Sequence, residues 1–357
     1  MNLLKYVNQY NTGLVNLGNT CFLNSCVQIL NHTFELIELL ESKQTENNLK
    51  VISDANIIKE WYDLRKVMWN NNGTVSPNKF VYNVQQLAKE KNRELFTGWA
   101  QNDMPEFLLF IVDCIHNSIS RKINMRIKGT PQNNLDVLAV TCYSMLKNIY
   151  SKEYSEIMEM FYGIYVSEII SLDETVKHVI TPENYFILDL PIDLYNNQND
   201  NRILTIYDSF NLFTKPEILD GENAWFNEKT NKKENIKKRI QFWNLPTILV
   251  ITFKRFSHTG THKINEFIDF PINNLDLSKY VCGYNPNNYV YDLYGVCNHM
   301  GNVMGGHYTA FVRNANNEWV HYNDTSVEII MNPNMIITPS AYCLFYRKKI
   351  PNNNINE

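Results

Sequence analysis

Apolar residues recur at three- and four-residue spacing through the first third of the chain and then change to short β-rich runs. Ile57, Trp61, Leu64 and Met68 share one face of a predicted helix, and Phe80, Val84 and Leu87 share a face of a second. Ser76 reads as the N-cap of that second helix, with Pro77 at its first position. From about Gly163 the pattern becomes one of strands, at 185–190, 247–256, 289–297 and 342–346, so the last two thirds is expected to be mostly sheet. The Asn-rich stretches 69–73, 196–201 and 351–357 are polar and unpatterned, and read as two loops and a frayed tail. No internal repeat or low-complexity tract interrupts this order.

Composition narrows the picture. A chain of 357 residues can hold two or three subdomains around a sizeable core. Its 33 Lys and Arg against 37 Asp and Glu leave a net charge of −4, with one short basic stretch at 232–239, so nucleic acid is not an expected partner. No apolar run approaches the roughly 18 residues of a membrane span, and the N-terminus lacks a signal-peptide core. Seven cysteines without a Cys-x-x-Cys pair suit a reducing compartment, so the expected location is intracellular, cytoplasmic or nuclear.

The segment GLVNLGNT, Gly13 to Thr20, matches a phosphate-binding loop except at the lysine, where Asn19 stands. Without that charge, nucleotide binding is a weak alternative. Read as a nucleophile site the segment is stronger. Asn19 or Thr20 can cap a helix whose first turn holds Cys21 and whose apolar face is Cys26, Ile29 and Leu30. A helix N-terminus and a nearby imidazolium would lower the Cys21 pKa into a range of roughly 3.5 to 7.5. A lone cysteine is more often a small buried hydrophobe, so the reading requires a partner.

That partner is found between Gly305 and Asp324. His307 opens a strand-like run ending near Arg313, Asn314 to Asn317 supply turn residues, and Glu318 to Tyr322 form a second run, which together make a hairpin. With the turn centred on Ala315, His307 and Asn323 face each other across the ladder. A carbonyl oxygen on one imidazole nitrogen fixes the tautomer and leaves the other nitrogen for the thiol. Asp324 is expected to replace or support Asn323. His32, His116, His178, His258, His262 and His321 read as structural or surface residues.

The cysteine box from Gly13 through Asn16, Cys21 and Asn24 to Gln28 resembles a signature of the ubiquitin-specific protease family of deubiquitinases. So does the histidine box, Gly305-Gly306-His307-Tyr308 through Trp319 to Tyr322-Asn323-Asp324. Similar blocks stand between and after them, at Gln101 to Leu108, at Leu245-Pro246 through Lys254-Arg255-Phe256, and from Ala341-Tyr342 to Tyr346. The resemblance covers about Gly13 to Arg347. It implies an α+β, papain-like cysteine protease fold with a helical thumb (about 13–160), β fingers (about 161–190 and 215–245) and a β-sheet palm from the remainder. Residues 1–12 would be an N-terminal extension and 348–357 a C-terminal tail. The implied activity is thiol-dependent hydrolysis at the C-terminal glycine of ubiquitin, by a monomer without a cofactor, on ubiquitin or ubiquitin-conjugated proteins. The other readings are a silent ubiquitin-binding module and the nucleotide enzyme above.

The resemblance also assigns residues. Cys21 is the nucleophile, His307 the acid/base, Asn323 its orienter and Asn16 the oxyanion donor, beside the Cys21 backbone N–H. Ser171, Glu174, Asn227 and Thr230 stand where many members carry zinc thiolates, so zinc-free fingers held by strand pairing alone are expected. Asp103 and Glu106 match positions that can face ubiquitin's basic tail, although Asp-x-x-Glu ahead of an apolar run is equally a capping box. Tyr308, Gly301, Gly305 and Gly306 resemble a loop that admits the tail.

Overall fold

The computed structural model describes residues 3–70, 72–192, 202–256, 262–302 and 305–350. The stretches 196–201 and 351–357, with His258, lie outside those residues. Helices dominate the first part: α1 (Cys21–Leu30), α2 (Phe34–Leu40), α3 (Lys43–Asn48), α4 (Asp54–Asn70), α5 (Asn78–Glu90), α6 (Met104–Ile119), α7 (Asn134–Tyr150) and α8 (Glu156–Phe161). A short parallel pair, β1 (Thr12–Leu14) and β2 (Gly73–Val75), lies among them. The expected helical faces are buried at Ile57, Trp61, Leu64 and Met68 and at Phe80, Val84 and Leu87. Two boundaries differ from expectation. Pro77 sits at the N-cap of α5 without a side-chain cap, and Ser76 accepts from Asn78 Nδ2 instead. The 69–73 loop is mostly absorbed, because Trp69 and Asn70 complete α4 and Gly73 begins β2.

Strands follow from Gly163. β3 (Gly163–Ser171), β4 (Lys177–Tyr185) and β5 (Ile187–Leu190) come first; β6 (Leu204–Thr205) then leads into α9 (Ile206–Thr214). Next are β7 (Glu217–Leu219), β8 (Trp225–Asn227), β9 (Lys232–Glu234), β10 (Ile236–Asn244), β11 (Ile248–Phe253), β12 (Ile268–Asp269) and β13 (Leu275–Asp276). The chain continues through β14 (Val290–Asn302), β15 (Gly305–Arg313), β16 (Trp319–Asn323), β17 (Ser326–Ile330) and β18 (Ala341–Lys348). Two sheets organise them. One has the order β4-β3-β10-β7. The larger has the order β17-β16-β15-β14-β18-β11-β5, with β13 on β14.

The larger sheet is covered on both faces, which accounts for runs of consecutive apolar residues in its central strands. Along β18, Cys343 and Phe345 join the core shared with the helices, while Leu344 and Tyr346 join the core on the opposite side. Helix α1 runs between that sheet and α6, and all ten of its residues are buried. Such a helix has no solvent face. Its polar residues must therefore find partners inside, and those partners build the site.

Candidate active site

The loop ahead of α1 is folded around the Asn16 carboxamide. Asn16 Oδ1 accepts from the backbone N–H groups of Gly18 and Thr20, each at 3.0 Å, and Leu17 N–H donates to Thr20 Oγ1 at 2.9 Å. Gly18 and Asn19 take left-handed backbone conformations (φ 108° and 55°), which glycine and asparagine tolerate best. Two expectations change here. Thr20 holds the N-cap position but makes no side-chain cap bond. The loop's N–H groups at Leu17, Gly18 and Thr20 are spent on its own side chains, which removes the cradle a phosphate would need.

Cys21 opens α1 and is 4% exposed. The expected low thiol pKa is not found. Burial pushes it up and the charge of Asp324 adds to that, against the backbone N–H groups of Tyr308, Phe22 and Cys21. The helix-terminal effect is present and desolvation exceeds it. The contribution from Tyr308 places the sulfur beside the peptide that joins His307 to Tyr308.

β15 and β16 form the expected hairpin, with Ala310 opposite Tyr322 and Arg313 opposite Trp319. The turn therefore centres on Asn316, one residue later than expected, and His307 lies diagonal to Asn323. An even slip of two positions keeps both side chains on one face. His307 Nε2 is 2.7 Å from Asn323 Oδ1. With the carbonyl oxygen accepting, Nε2 carries the proton and Nδ1 keeps its lone pair.

Asp324 does not join that pair. Its Oδ2 accepts from Asn16 Nδ2 at 3.0 Å and its Oδ1 from Asn24 Nδ2 at 2.8 Å, while its backbone oxygen accepts from Leu14 N–H. Asp324 fixes the Asn16 amide rather than the histidine. Asn24, one turn after Cys21 on α1, belongs to the same cluster.

A cavity of about 450 Å³ opens over Cys21, between Gln101, Asp103, Gly306, Tyr308 and Tyr342. Asp103 is the N-cap of α6 yet makes no side-chain cap bond, so the capping-box alternative fails. Its carboxylate instead accepts from Tyr308 Oη at 2.8 Å and Tyr342 Oη at 3.3 Å. Burial raises its pKa to about 6. Glu106 is exposed on the first turn of α6, and its charge adds to that rise. Gly306 donates its N–H to Gln101 Oε1. His299, passed over in the sequence, packs its ring at a tilt against Tyr308 and Tyr342 at the cavity wall, held neutral with a pKa of about 4 by burial and then by Lys263. β14 runs on to Asn302, and His299 pairs directly with Tyr308.

At the end of the four-stranded sheet Ser171 donates to Asp173 and Glu174 pairs with Lys237, and in the separate β8–β9 pair Asn227 and Thr230 both donate to Glu234. Among the described residues no group of three or more His, Cys, Asp or Glu is arranged to hold a metal ion. Strand pairing is not the sole support there. Glu168 joins Lys177 to Arg239 across three strands, and the His178 ring packs at a tilt against Trp225, centroids 5.4 Å apart.

Comparison with known proteins bears on this geometry. A family model described as ubiquitin carboxyl-terminal hydrolase matches residues 12–346. The human protein named ubiquitin carboxyl-terminal hydrolase 2 is 34% identical over 349 residues, which is 95% of this chain and 55% of that protein. A probable ubiquitin carboxyl-terminal hydrolase of Acanthamoeba polyphaga mimivirus is 26% identical over 429 residues, 94% of this chain and 89% of its own. The chain thus spans about half the length of the animal relative. Among solved structures, a SAGA DUB module containing Ubp8 and bound to monoubiquitin matches with a TM-score of 0.73 at 24% identity, over 96% of this chain and 71% of that one. The fold is of that α+β type. No helix among the described residues is long and apolar enough to cross a membrane.

Proposed function

The chain belongs to the ubiquitin carboxyl-terminal hydrolase family, and from that premise we propose that it is a cysteine-type deubiquitinase acting on the bond that follows the C-terminal glycine of ubiquitin. The observation that supports this most is the 2.7 Å contact between His307 and Asn323 on a strand whose next peptide N–H faces the Cys21 sulfur. Burial raises the Cys21 thiol pKa, so the sulfur depends on a base: His307 Nδ1 takes its proton, or holds the thiolate as an ion pair, and the sulfur attacks the glycine carbonyl. The amine leaves with that proton, and water activated by the same ring hydrolyses the thioester.

Asn16 supplies the oxyanion donor together with the Cys21 N–H. Asp324 occupies one side of its amide and the loop N–H groups hold its oxygen, so the remaining N–H stays aimed at the reaction without reorganisation. Asp103, whose charge meets tyrosine hydroxyls in the cavity, receives a basic residue of ubiquitin's tail, with Glu106 nearby on α6. Tyr308 and Gly306 border the same path. We divide the chain into thumb, fingers and palm at the boundaries given above, working as a monomer. All seven cysteines are free thiols, which supports an intracellular site, cytoplasmic or nuclear.

One observation favours a second reading. The high thiol pKa would also suit a module that binds ubiquitin without turning over. A ubiquitin probe with a C-terminal electrophile separates the two. Labelling at Cys21, lost in Cys21→Ala, supports the hydrolase, whereas binding without labelling overturns it. In the active chain, Asn16→Ala is expected to lower kcat by about 10² to 10³.

A further inference from the structure

Gln101 spans the mouth of the cleft. It is exposed in the segment ahead of α6, and its carboxamide makes contacts in opposite directions. Oε1 accepts from Gly306 N–H at 2.8 Å, and Nε2 donates to Asn19 Oδ1 at 3.5 Å. Asn19 stands two residues before Cys21 and is fastened in turn by its Nδ2 to the Trp99 carbonyl at 2.9 Å. One side chain thereby ties the strand that carries His307 to the loop that carries Cys21.

The β15 wall packs closely against Gln101, His299 and the Met300 carbonyl. A Cβ on Gly305 would meet Gln101 Oε1 at 2.5 Å, and one on Gly306 would meet His299 Nε2 and the Met300 carbonyl at 2.4 Å. The glycines are pressed between the clasp and the sheet. Asn19, Cys21, Gln101, Gly305 and Gly306 all border one cavity, so a tail reaching the sulfur passes beneath the carboxamide.

We propose that Gln101 is a specificity-determining residue whose side chain clasps the two walls at glycine width, so that only a tail without side chains at its end reaches Cys21. The inference rests on the hydrolase reading above. While the walls are held, one added methyl in a fitted site costs about 10- to 200-fold in kcat/KM. When they can part, most of that penalty disappears.

The test measures kcat/KM for two otherwise identical fluorogenic ubiquitin substrates, one ending in Gly-Gly and one in Gly-Ala. Wild type, Gln101→Ala and Asn19→Gly are compared; glycine keeps the left-handed backbone at residue 19 while deleting the far anchor. Gln101→Ala is expected to reduce the Gly-Gly to Gly-Ala ratio about tenfold, and Asn19→Gly to move it in the same direction. An unchanged ratio in Gln101→Ala overturns the proposal. So does a shift in Gln101→Ala that Asn19→Gly lacks, because the glutamine would then act by direct contact and not as a clasp. A wild-type chain that cleaves neither substrate removes the hydrolase reading, and this inference with it.

Discussion

The four-stranded sheet and the cleft bury carboxylates in opposite ways. Glu168 is 2% exposed at the middle of β3, directly opposite Arg239 on β10, with Lys177 reaching it from β4. Burial alone would raise its pKa, yet the two cations hold it below the usual carboxylate range. Asp103 has two tyrosine hydroxyls and the Met104 backbone N–H but no cation among its partners in the described residues, and burial pushes its pKa up to about 6. The sheet spends charge on cohesion. The cleft leaves charge unneutralised, which costs stability and creates a receptor for a cation, and perturbed groups in clefts mark function for that reason.

The sharpest way to break this contrast is Glu168→Ala. Its removal deletes the buried carboxylate's charge-assisted bonds to Arg239 and Lys177 and costs about 1.5–3 kcal/mol. Urea unfolding of the full chain should show that loss, while the kcat of the protein still folded stays at the wild-type value. A loss below about 1 kcal/mol would put Glu168 with ordinary surface ion pairs and end the distinction.

Acid should separate the regions next. Burial holds His32 and His299 neutral, with pKa values of about 4 against an ordinary histidine value of about 6.5. A lowered histidine pKa gives stability that is complete above pH 6.5 and lost as pH falls toward 4. At pH 5 each should cost about 2 kcal/mol relative to pH 7. Glu168, with its folded pKa depressed, keeps its contribution until pH falls below the ordinary glutamate value of about 4.3. Mild acid therefore weakens the helical and cleft region while the ion cluster of the four-stranded sheet persists. In urea melts, His32→Gln should be less sensitive than wild type to a change from pH 7 to pH 5; equal sensitivity would show that His32 charges freely in the folded state.

Some of this was legible in the residues and some was not. Period and composition sufficed for α4, with Ile57, Trp61, Leu64 and Met68 on one face, and for the strands from Gly163 onward. The motifs carried Cys21, His307, Asn323 and Asn16. The hairpin centre was missed by one residue because Asn317, not an earlier residue, takes the left-handed turn position (φ 67°), with Asn314 Oδ1 bonded to Glu318 N–H. His299 escaped notice because 298–302 reads as a polar strand end, and only pairing with β15 extends the strand through it. Charge burial was the least visible feature. Whether a carboxylate meets Arg239 or a tyrosine depends on which strands become neighbours, and no local pattern records that.

The smallest expected effect bears most directly on the cleft. A carboxylate whose folded pKa is raised contributes stability below its unfolded value, near 3.8, and loses it as pH rises through about 6. At pH 7.5 the folded chain therefore holds an Asp103 charge that it would rather give up. Asp103→Asn removes that charge and keeps an oxygen for the Tyr308 and Tyr342 hydroxyls, so the variant should be more stable than wild type at pH 7.5 and close to it near pH 4. The same substitution should raise KM for ubiquitin substrates with little change in kcat, because it deletes a receptor for the tail's positive charge and leaves the reacting groups alone. A stability gain with unchanged KM would mean that the strain at Asp103 serves packing and not recognition. A loss of stability at pH 7.5 would mean that its charge is neutralised in the fold as that of Glu168 is, and the two regions would then follow one rule.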